Sequence, residues 1–348
     1  MQKVTAESSQ NEVDSIEEAD KRSSCLTPTT TFEDVPKVFR EPNINTGFRQ
    51  PYQPWYYYPA SIFQVHNECM NVWTHIFAVI LMTHKLVSFS KQLDFINDPY
   101  TWPMLAGILS SIILYLASSF AHCFQSKSEM FHYTCFMIDY AGIGLYGFGS
   151  VTVHFAYCME EHLYQISWLK DMFVPVGGFL AVATCGCCTY AKYRYQRPYP
   201  RARKVWQVTG VCFLYIWLII PVVDQVFNCF INGFRCDDTI SPHTKQLAWF
   251  LASGFFYTSD IPQRFWPGKC DFIGHSHQFF HVCIMMTTFF QFDGVIRDLH
   301  NERDVFEQRP TPTLWNTFGP VALVLLLEIV FIIIFREKCK KKLKSKNE

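Results

Sequence analysis

Residues 320–335 read PVALVLLLEIVFIIIF, sixteen positions whose one charged side chain is Glu328. A helix that is apolar on every face needs a non-aqueous surrounding. With its flanks the run extends over 314–335, about the 20 residues that cross a bilayer. Working outward, seven more such runs lie at 72–90, 103–124, 131–152, 168–190, 205–227, 246–261 and 275–296. The first is weakened by His84 and Lys85, and the sixth is short. Charged residues are 17% of the chain, against about 25% in soluble domains. Eight apolar helices in 348 residues leave too little polar chain to cover them. The expected fold is therefore an all-α polytopic membrane protein. A net charge of zero excludes a global field directed at nucleic acid.

Basic residues in short loops set the expected orientation. AKYRYQRPYPRARK, residues 191–204, carries six Lys or Arg, and the tail from Arg336 carries seven. Both are expected in the cytosol, and the even number of spans between them agrees. MEEHLYQIS, residues 159–167, has no Lys or Arg and is expected outside. Both termini are then cytosolic. The first 45 residues are polar with no early apolar core, so no signal peptide is expected. The chain divides into a partly disordered cytosolic region over 1–70, a seven-helix core over 71–297, an outer loop with the eighth helix over 298–335, and a basic cytosolic tail over 336–348. A small structured cap around PWYYYPASIF, residues 54–63, is the alternative for part of the first region. Most of the 14 cysteines lie in or beside spans and read as small apolar residues. Cys185, Cys187 and Cys188 read first as packing, with palmitoylation as the alternative. Cys229 and Cys236 share a predicted outer loop and can pair.

GHSHQFFHV, residues 274–282, places three histidines where the seventh span begins. His277 and His281 are four apart and share one helical face, a spacing that suits two ligands of one metal. His122 lies near the same end of the second span. Ser118 is four residues before it. Asp139 sits about 12 Å into the third span, and an ionisable residue within a span is a functional candidate. Three neutral imidazoles with an open fourth position form the usual set for catalytic zinc. Asp139 can then act as base and Ser118 as an orienting hydroxyl. The alternative is three unrelated polar residues satisfied by backbone. His275 lies off the shared face, His75 reads as structural, and Glu328 reads as a protonated packing residue.

SSFAH, IDYAG and SHQFFH, with HNECMNVWTHIF and QSKSE, resemble the progestin and adipoQ receptor family over nearly the whole chain. VPKVFREP, YAKYRYQRPYP and the eighth run resemble its membrane progestin receptor branch, of the alpha or beta type. The resemblance implies a seven-helix core with buried zinc, plus the eighth helix. It implies His122, His277 and His281 as zinc ligands, and Asp139 and Ser118 as supporting or catalytic groups. It further implies a plasma-membrane receptor that binds progestins and signals rapidly through an inhibitory heterotrimeric G protein and falling cyclic AMP, a role tied to oocyte maturation in fishes and amphibians. A second function class stays open: a zinc-dependent hydrolase acting on a lipid amide such as ceramide. Zinc that only ties helices together is the third.

Overall fold

The computed structural model describes residues 26–197, 199–233 and 240–347. Nine long helices carry the architecture: α1 (Cys69–Phe89), α2 (Trp102–Phe124), α3 (Glu129–Val153), α4 (Ser167–Arg194), α5 (Arg201–Leu218), α6 (Ile220–Asn232), α7 (Ile240–Ser259), α8 (Ser276–Asn301) and α9 (Leu314–Asn347). No strand occurs among the described residues, only an isolated bridge between Thr30 and Phe48. Among the described residues, five helices are long and apolar enough to cross a membrane, or six if the bent pair α5–α6 is one span. The chain is a polytopic, all-helical membrane protein. On α9 only 11% of the most apolar window is buried, and Leu323, Leu326, Ile333 and Ile334 stand open. A contiguous apolar face of that size is a surface for lipid.

The fifth run is not one straight helix. Its halves meet at 57°, because Pro221 has no N–H to bond the Trp217 carbonyl and its ring crowds that oxygen. α3 and α7 fall outside the apolar set for another reason: most small and polar residues of α3 face protein, as do His243, Gln246 and Ser253 of α7. α3 packs against α2, α4, α5 and α9, and its glycines permit the approach. A Cβ on Gly149 would lie 2.7 Å from the Ser110 Cβ and 3.3 Å from the Gly107 Cα. On the other side of α3, a Cβ on Gly144 would strike Glu328 and stand 2.8 Å from the Ala181 carbonyl oxygen. Small residues are what allow membrane helices to come this close. One apolar core, with Met104, Ile108, Phe292 and Val295, fills the space between α2 and α8. A second, with Phe148, Val151, Phe173 and Leu214, lies between α3, α4 and α5.

Glu328 is fully buried, facing Gly144. Cys185 and Cys188 are buried and Cys187 is half-buried. Cys229 is disulfide-bonded; Cys236, its expected partner, lies outside the described residues.

The bundle has a basic end, with the 195–200 loop and the close of α9, and a far end opposite. The turn at the basic end between α2 and α3 is short because Ser128 caps α3, accepting from the Phe131 N–H at 3.1 Å. Residues 26–68 form a strap across this end. Val35, Phe39, Ile44 and Phe48 give it a small core. Tyr58 packs with Val72 and Cys123. Arg49, almost wholly buried, donates to the carbonyl oxygens of His122 and Cys123 at 2.6 Å each and to Ser61 Oγ at 2.9 Å. Those carbonyls close α2 and have no partner inside the helix, and a cation at a helix C-terminus also meets the negative end of its dipole. Asp271 holds the strap from the other side, accepting from the Asn45 and Thr46 N–H groups and from Thr46 Oγ1.

Arg49→Ala removes these bonds and leaves buried acceptors without donors. It is expected to lower stability by about 3 kcal/mol. Thermal melting of the purified chain in detergent checks this, and Arg49→Lys, which reaches fewer acceptors, is expected to fall between.

Candidate metal centre at the basic end

His122 stands in the last turn of α2, and His277 and His281 in the first two turns of α8. One ring nitrogen from each lies within 4.8 Å of the others, so the three can hold a metal ion. His122 and His281 are buried and His277 is half-buried. The Nε2 atoms of His122 and His277 are 3.3 Å apart. Four nitrogens held at 2.0–2.1 Å around a tetrahedral ion are separated by about 3.3–3.4 Å. Two imidazole lone pairs repel at that distance unless a proton or cation lies between them.

In His122 and His281 the other ring nitrogen is engaged so that Nε2 is left for the centre. His122 Nδ1 donates to Glu68 Oε2 at 2.7 Å. His281 Nδ1 is 3.1 Å from Thr74 Oγ1, and that hydroxyl donates to the Met70 carbonyl oxygen at 2.8 Å. Thr74 therefore accepts from His281 Nδ1–H, and Nε2 carries the lone pair. Outer partners of this kind fix ring orientation and tautomer in metal sites. The donor set thus fits a zinc-like ion.

Ser118 and Asp139 are both buried, and the Ser118 hydroxyl and the His122 ring are both near enough to the Asp139 carboxyl to act on it. All five expected site residues therefore fall in one neighbourhood. His275 is not part of it. Its Nε2 donates to the Asn67 carbonyl oxygen at 3.2 Å, just before α8 starts.

Two residues had no place in the sequence reading of the site. Glu68 is buried; besides His122 it accepts from Asn71 at 2.6 Å and, through Oε1, from Gln125 at 2.6 Å. Burial alone would raise its carboxyl; the His122 ring and the hydrogen bonds from His122 and Asn71 outweigh that and hold it well below the usual carboxylate range. His75, read as structural, stacks on His281 with centroids 3.7 Å apart, and neither ring nitrogen has a hydrogen-bond partner among the described residues. The available signal was the spacing Glu68, Asn71, His75, which is i, i+3, i+7 on one helical face. Aromatic rings close the neighbourhood: Phe136 meets His122 edge-on, Tyr115 meets His75, and Phe280 stacks on His277.

A membrane bundle with three imidazoles from two helices, supported by a buried Ser–Asp pair, defines a class, and comparison with known proteins agrees. A family model described as Haemolysin-III related matches residues 63–292. The chain belongs to that family, which corresponds to the progestin and adipoQ receptor family of the resemblance. Among its relatives, membrane progestin receptor beta of Mus musculus is 38% identical over 299 residues, covering 85% of this chain and 82% of the relative. Membrane progestin receptor alpha-B of Danio rerio is 37% identical over 280 residues, covering 80% and 78%. Membrane progestin receptor alpha of Homo sapiens is 32% identical over 317 residues, covering 90% of each.

Two substitutions test the geometry. His281→Ala is expected to lose the ion of this centre, lowering the metal content by about one ion per chain, since two imidazoles hold zinc poorly. Glu68→Gln keeps shape and removes the anion behind His122, and is expected to weaken metal affinity about 10- to 100-fold. Chelator competition followed by elemental analysis reads both.

Proposed function

We propose that the protein is a plasma-membrane progestin receptor with a buried zinc ion held by His122, His277 and His281. The observation that carries the reading is identity of 32–38% to membrane progestin receptors over most of the chain. A progestin is a rigid apolar body with polar ends, and such ligands take apolar, aromatic-lined sites with a few placed polar groups. The rings around the histidines supply that kind of wall. The apolar runs and the alternation of loops support eight crossings. The basic loop after α4 and the basic close of α9 support cytosolic termini. Signalling through an inhibitory heterotrimeric G protein and lowered cyclic AMP belongs to this reading, as does a role in oocyte maturation. So does the division into a cytosolic region over 1–70, a core over 71–297, an outer loop with the last span over 298–335 and a tail over 336–348.

A second reading rests on the Ser118–Asp139 pair beside three imidazoles. Bound zinc supplies Lewis acidity toward a carbonyl and lowers the pKa of a water to about 7. In this reading Asp139 takes a proton, and the neighbouring Ser118 orients its carboxylate. The substrate class is a lipid amide such as ceramide, whose chains suit a bundle opening to lipid.

Asp139→Asn separates the two. As receptor, the variant is expected to bind radiolabelled progestin within a few-fold of wild type. As hydrolase, it is expected to lose ceramide turnover about 10²-fold or more while keeping its metal. Turnover that disappears together with cyclic AMP signalling, with progestin binding intact, makes the enzyme primary. Topology has its own check: an epitope after Glu348 is expected to stain only permeabilised cells, and staining of intact cells overturns the eighth crossing.

A further inference from the structure

The far end of the bundle holds another cluster of metal-binding side chains. α3 runs into a π-helical turn, His154–Cys158, a form that often marks functional positions in helices. Its last residue, Cys158, brings its side chain together with His243 at the start of α7 and Asp298 near the end of α8. Ligand atoms of the three lie within 4.8 Å of one another, and all three residues are buried. His281 and Asp298 are 17 residues apart on one helix, so the two clusters are separated by about 25 Å.

The His243 ring is held from three sides. Its Nε2 is 2.8 Å from Asp298 Oδ2. Its Nδ1 is 3.1 Å from Gln246 Nε2. Beneath it lies Gly294, where a Cβ would come 2.7 Å from Nδ1, so only glycine leaves room for the ring. The Cys158 thiol lies within 4.8 Å of the Asp298 carboxylate. Gln225 donates to the Cys158 carbonyl oxygen at 3.1 Å and fixes the turn. Its own Oε1 is buried and has no hydrogen-bond partner among the described residues.

We infer that Cys158, His243 and Asp298 form a zinc site, separate from the three-histidine centre, that ties α3, α7 and α8 together at the far end. The donor set is thiolate, imidazole and carboxylate, the three kinds of ligand zinc accepts. Charge favours the same ion. A thiolate and a carboxylate together neutralise a divalent cation, so the loaded site carries no net charge into a low-dielectric bundle. Loading releases the Cys158 thiol proton to solvent as the S–Zn bond forms. His243 carries its proton on Nδ1 in the loaded state. Turning the Gln246 amide presents its oxygen to that proton and frees Nε2 for the ion, an exchange of O and N positions that leaves the side chain in place.

Cobalt(II) bound to the full-length chain in detergent tests the inference, because a thiolate ligand gives a near-ultraviolet sulfur-to-cobalt charge-transfer band that a set of imidazoles does not. The band is expected in wild type, and expected to vanish in Cys158→Ser and in His243→Ala. It is expected to persist in Cys212→Ser, a change at an exposed cysteine. A folded wild type without the band, or a band that survives Cys158→Ser, overturns the site. A second measurement needs no change at Cys158. The His277→Ala/His281→Ala chain, folded by its melting curve, is expected to retain about one zinc after dialysis against a weak chelator, held by the remaining three ligands. A metal-free result for that chain also overturns the site, and it leaves the reading of the three-histidine centre untouched.

Discussion

The hydrogen bond from His122 Nδ1 to Glu68 joins the start of α1 to the end of α2, and the centre is organised around it. A neutral imidazole in a bundle must place both nitrogens, since an unpaired buried polar group is expensive. Glu68 settles one nitrogen of His122, and that decides which lone pair faces α8. Thr74 does the same for His281 from nearly two helical turns deeper, on α1. The first helix therefore orients the ligands without supplying one. Glu68 is itself held by Asn71 and Gln125, so its charge is distributed over donors from both helices it joins.

Access of helices to one another is the second constraint. α3 has neighbours on nearly every side, and a helix so enclosed cannot carry bulky residues throughout. Its glycines bring α2 close enough for Ser118 to meet Asp139. The same enclosure explains why α3 is less apolar than helices that face lipid. What surrounds it is other helices, and its composition answers to those rather than to oil.

This decides what the sequence could disclose. Helices exposed to lipid announce themselves, as residues 320–335 do, because the requirement acts on each residue independently. The bend at Pro221 was written in a single residue, but inside an apolar run that masked it. Of the site, the histidines stood out because His277 and His281 are near neighbours and His122 ends a span. Glu68 did not, since its meaning depends on a residue 54 positions away. His75 read as ordinary packing because a stacked ring looks, in sequence, like any buried one. Cys158, His243 and Asp298 share no local pattern and meet only through the packing of three helices.

The strap has a consequence for biogenesis. It is made before the surfaces that receive it: the end of α2 for Arg49, and Asp271, which precedes α8 by a few residues. It cannot seat fully until α8 is being inserted, and α8 brings the last two histidines. The strap thus docks only after helices made later than itself, and its docking lies across the basic end where the three imidazoles meet. On the proposed reading, an ion held there would leave only after the strap gives way, so its retention would depend on the rate of opening as well as on affinity.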